Sequence, residues 1–255
     1  MFENVRRSWR IFGTGLGFVA IGIGGMFVFP ALNIFIWNRE RRTTVARYVI
    51  RFTFRCIVGF MRLLGVFRYE ITGLERLERE GLLILANHPT LIDIMFLMAF
   101  VKRGDCVVKS ALWRNPFTHA TVRAAAYIRN DDDGIRVIED CIAAVRRGSN
   151  LIIFPEGTRT PPDGRIRLKR GAAAIAVRGS CNITPVLIHC TPRMLIKGEK
   201  WWRLPSRSTS FTITVKEDID VHPFIDAANS EALAARHLTE YLRSYFAEEN
   251  KLHAA

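Results

Sequence analysis

The sequence predicts an α/β protein in which one domain, built on a central mixed sheet flanked by helices, follows an N-terminal helical membrane anchor. Three observations support this prediction. Residues 11–37 contain no charged side chain, short apolar strands alternate with helical patterns after Tyr69, and hydrophobic residues make up 49% of the 255 positions. Such a chain is long and apolar enough for one large domain with an appendage. We place the anchor at residues 1–70 and the domain at residues 71–255.

The uncharged run at 11–37 is long enough to cross a bilayer. As a helix its 27 residues reach roughly 40 Å, whereas the hydrocarbon core is ~30 Å thick. The run is too long for a cleaved signal peptide, and further apolar sequence follows it. Six glycines and Pro30 disfavour a continuous helix. We therefore expect either a single span or, as the favoured alternative, a hairpin that reverses at Gly24-Gly25 or Pro30; a buried soluble hairpin is a third alternative.

Residues 43–68 have the pattern of a basic amphipathic helix. Four arginines share one helical face, and apolar side chains fill much of the remainder. A helix of this kind fits a membrane interface, with its guanidinium groups at the lipid phosphates. The alternative is a helix packed on the globular domain. The four arginines are Arg47, Arg51, Arg55 and Arg62.

The net charge of +13 is unevenly distributed along the chain. Residues 1–70 hold 11 Arg, no Lys and 3 acidic side chains, and account for +8 of that charge. A segment that is both basic and apolar suits an anionic lipid surface better than DNA, for which a basic face on a soluble module is expected. We therefore expect membrane lipid as a partner and no nucleic acid.

After Tyr69 the hydrophobic pattern alternates between strands and helices. Asp133 is positioned to cap a helix from Gly134 to about Arg147, and residues 229–249 have the spacing of an amphipathic C-terminal helix. The remaining apolar runs have lengths typical of buried strands and helices. The predicted strands are 82–86, 106–108, 127–128, 151–154, 183–189 and 211–215, and the other predicted helices are 92–99 and 171–178.

The first candidate catalytic motif is NHPTLID at residues 87–93, directly after a predicted strand. Within one helix, five steps of 100° would separate His88 and Asp93 by ~140°. Pro89 favours the first helical turn and disfavours a helical residue before it, so we expect His88 in the turn and Asp93 on the helix. The carboxylate then accepts the imidazole N–H, fixes its tautomer and leaves the other ring nitrogen as a general base.

A second motif, FPEGTR at residues 154–159, also follows a predicted strand. Ligands gather at strand ends in α/β sheets. Gly157 permits close backbone approach, and Arg159 offers a planar fork suited to a phosphate. On its own this motif is a weak signal, because the same residues fit an ordinary turn with a solvated charge.

Together the two motifs resemble the first and third signature blocks of the glycerolipid acyltransferase family, which includes 1-acyl-sn-glycerol-3-phosphate acyltransferases. Residues 126–129 (AYIR) are similar to the second block, although a glycine usual near its start is missing, and residues 183–186 (ITPV) are similar to the fourth. Lys169-Arg170-Gly171 is similar to the basic residue and glycine that follow the third block in the family. Lys109 falls where the family carries a lysine. The resemblance covers roughly residues 70–220.

The resemblance implies acyl transfer from acyl-CoA or acyl-carrier protein to the hydroxyl of a lysolipid, with phosphatidic acid as the product. His88 is the expected base, and Lys109 or a backbone N–H near Gly157 is the expected oxyanion donor. Glu156 is expected either to bond the glycerol of the acceptor or to hold Arg159. The other expected substrate-binding residues are Arg129, Gly157, Thr158 and Arg159.

The residue types also favour direct attack of the acceptor hydroxyl on the thioester, without an acyl-enzyme, because no Ser or Cys is positioned as a nucleophile beside the base. Two alternatives remain: the same motifs serve relatives that acylate other lysolipids or lipid-linked hydroxyl groups, and a non-catalytic membrane scaffold is a rival of another class. Because acyl thioesters are cytosolic, we expect the protein at the inner membrane with its domain facing the cytoplasm. Four arginines follow the apolar run closely and three precede it. This excess of positive charge after the run also favours a cytoplasmic location for the domain.

The cysteines indicate reduced thiols. There are five, an odd number, and no two are spaced as C-x-x-C, so a disulfide scaffold is not expected. We interpret all five as packing residues. Cys181, His189 and Cys190 lack the spacing of metal ligands, and we expect neither a metal nor any other cofactor.

Overall fold

The computed structural model describes residues 2–131, 133–161 and 166–252. Its N-terminal part is helical: α1 (Phe2–Ile23), a π-helical turn (Gly24–Val28), α2 (Phe29–Phe35) and α3 (Arg39–Leu63). A domain of alternating strands and helices follows. It comprises β1 (Phe67–Thr72), a 3₁₀ turn (Leu74–Glu78), β2 (Leu83–Ala86), α4 (Asp93–Phe100), β3 (Gly104–Lys109), α5 (Ser110–Arg114), α6 (Pro116–Ala124), β4 (Ile128–Asn130), α7 (Gly134–Arg146), β5 (Asn150–Ile153), α8 (Gly171–Gly179), β6 (Ile183–Thr191), β7 (Thr209–Val215), α9 (His222–Asp226) and α10 (Glu231–Leu252).

The seven strands form one mixed sheet in the order β1-β7-β6-β2-β5-β3-β4. Strands β2 to β6 run parallel to one another, β7 is antiparallel to β6, and β1 is parallel to β7. The predicted fold class, a mixed sheet flanked by helices, is confirmed. Since β2, β3 and β5 are parallel, their carboxyl ends meet at one edge of the sheet, where the candidate motifs lie.

Hydrophobic cores cover both faces of the sheet. Along β2, Ile84 and Ala86 belong to the core beneath α3 and α4, whereas Leu83 and Leu85 belong to the core beneath α7, α8 and α10. All four side chains are fully buried, as expected for a central parallel strand between two helical layers. The apolar run predicted as the strand 82–86 is therefore covered on both sides.

The predicted cap at Asp133 is confirmed, since its carboxylate accepts the N–H of Arg136 at 3.2 Å. Four of the strands and α-helices of the described domain were not predicted: β1, α5, α6 and α9. Strand β1 begins at Phe67, so it crosses the predicted boundary between residues 70 and 71. That division of the chain into an anchor and a domain stays a prediction.

The apolar run does not reverse at Gly24-Gly25 or at Pro30, so the expected position of the hairpin is wrong. The chain stays helical through the π-helical turn and through α2, where Pro30 occupies the first turn, the place a helix tolerates proline. The reversal lies between α2 and α3, and Asn38 caps α3 by accepting the N–H of Arg41 at 2.9 Å. Val5–Phe35 is the one described helix long and apolar enough to cross a membrane.

Helix α3 packs on the domain, which was the alternative to the interfacial prediction. Its buried face is apolar, and the four arginines lie along one flank of that face, where Arg55 and Arg62 are exposed. Arg47 forms a buried ion pair with Asp105 on β3 and donates to the Ala125 carbonyl oxygen at 3.0 Å. Arg55 lies over the ring of Phe100 and Arg62 over that of Tyr69. The side of α3 that faces away from the domain exposes apolar side chains, namely Tyr48, Phe52, Phe60 and Leu63. Helical periodicity identifies two faces but not which of them meets the protein.

Candidate active site

The loop between β2 and α4 brings His88 and Asp93 into contact. Nδ1 of His88 lies 2.9 Å from Oδ2 of Asp93. His88 is in the turn and Asp93 is the first residue of α4, so the predicted placement is confirmed. Pro89, however, is not in the first helical turn, because α4 begins four residues after it.

Asp93 is completely buried and held by Thr90. The backbone N–H of Thr90 donates to Oδ2 at 2.7 Å, and its hydroxyl donates to Oδ1. Burial raises the pKa of the Asp93 carboxyl, and the bonds from His88 and Thr90 oppose that rise. A carboxylate with three donors keeps one orientation, which fixes the imidazole beside it. The sequence signal for Thr90 was a hydroxyl residue three positions before an acid at a helix start.

Glu156, which follows β5, accepts a hydrogen bond from the backbone of His88. Its Oε1 accepts the His88 N–H at 3.0 Å and the Thr160 hydroxyl at 2.8 Å, while the Thr160 N–H donates to the His88 carbonyl oxygen at 2.7 Å. Glu156 makes no bond to Arg159, so the expectation that it holds Arg159 is wrong. Its side chain is buried, which raises the pKa of the carboxyl, and Oε2 has no partner among the described residues.

Two further side chains of the motifs position the base. The imidazole of His88 stacks on the ring of Phe154, with centroids 4.0 Å apart and planes 19° apart. Asn87 donates to the Ile188 carbonyl oxygen at 2.8 Å and accepts the Ile188 N–H at 2.7 Å, which ties the loop to β6. Sequence reasoning missed both roles because each partner is distant along the chain.

Arg159 supports a neighbouring loop. Its Nη1 donates to the carbonyl oxygens of Leu195 and Ile196 at 2.9 and 3.0 Å. The Leu195 carbonyl oxygen also accepts the N–H of Leu91. These bonds fix the direction of the guanidinium group and leave Nε and Nη2 for a ligand.

The second motif turns sharply at Gly157, whose φ is +66°. A Cβ at this position would lie 2.9 Å from Cε of Lys169, so the lysine side chain crosses directly over the glycine. The Gly157 N–H donates to the Phe154 carbonyl oxygen at 2.9 Å. That N–H is therefore already used, and the neighbouring backbone N–H of the turn is that of half-buried Thr158.

Lys109 and Arg129 lie on the outer strands of the same sheet. Lys109 ends β3 and Arg129 lies on β4, at the sheet edge. Both are exposed, and Arg129 is paired with Asp131 at 2.6 Å. The structure thus joins His88, Asp93 and Glu156 through hydrogen bonds, and none of the recorded bonds connects Lys109 or Arg129 to that group.

The cysteines are free thiols throughout the described chain. Burial raises the pKa of Cys141 and of Cys190 to about 12, so both are poor nucleophiles at neutral pH. Cys56 is exposed on the outer side of α3, and its interpretation as a packing residue is wrong. In the described ranges no group of three or more His, Cys, Asp or Glu side chains is arranged to hold a metal ion.

A sequence model of the acyltransferase family matches residues 68–189, which include both candidate motifs. Residues 68–189 therefore match an acyltransferase domain. The chain is 27% identical over 165 residues to a 1-acyl-sn-glycerol-3-phosphate acyltransferase of Pseudomonas aeruginosa, in an alignment that covers 63% of this chain and 64% of that protein. The corresponding protein of Borreliella burgdorferi is 26% identical over 194 residues, covering 74% of this chain and 73% of the relative.

The fold of the chain is also similar to a solved structure. The crystal structure of the 1-acyl-sn-glycerophosphate (LPA) acyltransferase PlsC from Thermotoga maritima superposes with a TM-score of 0.70 at 21% identity, over 96% of this chain and 98% of that one. The domain match and these relatives support the prediction of an O-acyltransferase.

Proposed function

We propose that the protein transfers a fatty acyl group from a thioester, acyl-CoA or acyl-carrier protein, to the free hydroxyl of 1-acyl-sn-glycerol 3-phosphate, giving phosphatidic acid. The observation that carries this proposal is the buried His88–Asp93 pair at the carboxyl end of β2, held by Glu156 from the neighbouring strand. The names of the relatives from Pseudomonas aeruginosa and Borreliella burgdorferi support the choice of acceptor.

In the proposed reaction His88 acts as a general base. Its Nδ1 is engaged by Asp93, so Nε2 takes the proton of the acceptor hydroxyl as the oxygen attacks the thioester carbonyl carbon. The tetrahedral intermediate then collapses: the new C–O ester bond remains, the C–S bond breaks, and the imidazolium returns the proton to the leaving thiolate. The carboxylate of Asp93 stabilises the imidazolium while it holds that proton.

The developing oxyanion needs a donor. Lys109 lies at the carboxyl end of β3, on the same edge of the sheet as His88. The Thr158 N–H is the second candidate, because the Gly157 N–H bonds Phe154. We assign the glycerol of the acceptor to Oε2 of Glu156, which is buried and has no partner among the described residues. This corresponds to the first of the two expected roles of that residue.

An acceptor and donor panel tests the proposed function. Purified enzyme is assayed with 1-acyl-sn-glycerol 3-phosphate, with other lysolipids and with lipid-linked alcohols, each with acyl-CoA and with acyl-carrier protein. We expect the highest kcat/KM with the lysophosphatidate. A higher value with an acceptor that lacks a phosphomonoester contradicts the proposed substrate and supports the alternative class of acceptors.

Replacing Arg159 by Lys is expected to raise the KM of the acceptor by about tenfold, with a smaller change for the donor. The substitution keeps the charge but loses the planar fork that pairs with two phosphate oxygens. Steady-state kinetics with each substrate varied in turn measure both KM values. Arg136→Lys, at an exposed position on α7, is the matched control and should change neither. Equal changes for both substrates contradict an acceptor-binding role.

We further propose that the protein lies on the cytoplasmic face of the inner membrane without crossing it. The long apolar helix is bound to the domain near both of its ends: Arg10 donates to the Ser206 carbonyl oxygen, and Asn33 donates to the Ala120 carbonyl oxygen at 2.9 Å. A helix that crossed the bilayer would carry one of these ends away from the domain. Its outward side presents an apolar stripe of Val5, Trp9, Phe12, Leu16, Val19 and Ile23, suited to lying in the interface.

Thiol labelling in intact spheroplasts tests this orientation. Cysteine is placed at exposed Ser8 or at exposed Ala227 in a Cys56→Ser background. An impermeant maleimide should label neither position from outside and both after lysis. Labelling of position 8 alone from outside indicates a single span and overturns the proposed topology. Labelling of position 227 from outside contradicts a cytosolic acyl donor.

A further inference from the structure

A tryptophan segment, residues 197–203, lies beside the long apolar helix. Trp201 and Trp202 are adjacent, with ring centroids 5.6 Å apart and planes at 88°. They remain 40% and 45% exposed, although a large aromatic side chain usually loses most of its exposure in a folded domain. Leu204, buried immediately after them, fixes the segment to the core.

The segment is attached to α1 on the flank opposite α3. Gly13 and Gly17 approach the α3 side, because a Cβ there would lie 2.9 Å from Val66 and 3.2 Å from Met61. Gly15, two residues from each, would meet the ring of Trp201 at 3.3 Å. Two residues correspond to a rotation of ~200° about a helix axis. Trp201 and α3 therefore hold α1 from two sides, with its apolar stripe exposed between them.

We propose that the tryptophan segment is a second membrane-binding element, which inserts its indole rings at the headgroup level of an anionic bilayer. Trp201 meets α1 beside the apolar stripe, at Gly15 and at Phe18, against whose ring it packs edge-on with 6.1 Å between centroids. Indole rings favour the membrane–water interface, where one end meets hydrocarbon and the other meets water.

The positive charge of the tryptophan segment also suits an anionic bilayer. Lys197, Lys200 and Arg203 are all exposed, against the single acidic residue Glu199. Nζ of Lys200 lies 5.2 Å from the ring centre of Trp202, so a cation and an indole ring share one site. Cations near the surface of an anionic membrane are attracted to its lipid phosphates. The segment belongs to the domain, so its insertion would fix the orientation of the domain on the membrane as well as that of α1.

Vesicle binding by the full-length protein tests the proposal. Trp202→Ala is the chosen variant, because Trp201 is the indole that packs against Gly15 and Phe18 of α1 and it is retained, so α1 should stay in place. We expect its partition onto vesicles of phosphatidylcholine and phosphatidylglycerol to fall by about tenfold. Lys200→Glu with Arg203→Glu should weaken binding to these vesicles far more than to pure phosphatidylcholine. The matched control is Tyr241→Ala, which removes an aromatic ring of similar exposure (43%) from α10.

A direct readout complements the partition assay. Cysteine at position 202 or 241, in a Cys56→Ser background, is labelled with an environment-sensitive fluorophore. Emission from position 202 should shift to the blue on addition of vesicles, and emission from position 241 should not. Activity of Trp202→Ala in detergent micelles should equal that of the wild type. The binding measurements do not depend on acyl transfer, so they remain decisive if the proposed reaction is wrong.

Three results overturn the proposal. They are unchanged partition of Trp202→Ala, an equal loss in Tyr241→Ala, and no fluorescence shift at position 202. Unchanged vesicle binding together with a raised KM for acyl-carrier protein would assign the segment to a protein partner instead.

Discussion

Replacing His88 by Ala is expected to lower kcat by a factor of at least about 10² to 10⁴, the range contributed by a positioned general base. The side chain is only 16% exposed and stacks on Phe154, yet the backbone of residue 88 keeps its bonds to Glu156 and Thr160. The melting temperature should therefore change by a few degrees at most. Asp93→Asn should be less severe than His88→Ala, because the ring keeps a hydrogen-bond partner but loses the charge beside it.

The chain offers a matched control for this substitution. His222 also places its Nδ1 2.8 Å from a carboxylate, that of Asp220, but both side chains are 57% exposed. His222→Ala should leave kcat unchanged. If His88→Ala retains more than about half of the wild-type activity, His88 is not the base.

Replacing Arg47 by Ala is expected to destabilise the protein by about 3–5 kcal/mol, because it leaves Asp105 buried without its cation. Burial already raises the pKa of the Asp105 carboxyl, and Arg47 provides the main opposing effect. Denaturant unfolding measures the change. Arg41→Ala, at an exposed position on the same helix, should alter the free energy of unfolding by less than about 0.5 kcal/mol.

A double variant separates the ion pair from simple loss of packing. Arg47→Ala combined with Asp105→Ala should be less destabilised than the sum of the two single variants, since no unpaired charge remains. An additive result would mean that Arg47 contributes through packing and its bonds to Ala125 and Ser149 alone.

The parts of the site that the sequence could predict depend on short distances along the chain. His88 and Asp93 are five residues apart, and the turn between them largely determines their geometry. The strand ends that carry the motifs followed from apolar runs broken by polar turns. The catalytic roles assigned to these residues remain predictions that the kinetic experiments address.

The parts that could not be predicted depend on partners far along the chain. Strand β1 is stabilised by pairing with β7, about 140 residues later, and its own pattern is that of a short, half-buried edge. Glu156 bonds the backbone of His88 across 68 residues. Arg47 was assigned to lipid phosphates because its acidic partner, Asp105, lies 58 residues away. In each case the local pattern permits two environments, and tertiary contacts select one.

The π-helical turn at Gly24–Val28 determines how far α2 is rotated about the helix axis relative to α1. A π-helical turn holds about one residue more than an α-helical turn, so everything after it is rotated relative to everything before it. Because of this rotation Arg10, Gly25 and Asn33 all face the domain, where Gly25 leaves room for the Phe117 carbonyl oxygen. Loss of one residue here would turn α2 by ~100° and carry Asn33 off α6. The π-helical turn therefore has the effect of one residue inserted into an α-helix, which sets the face that α2 turns toward the domain. A homologous helix without this extra residue would have to pack on the domain through a different face.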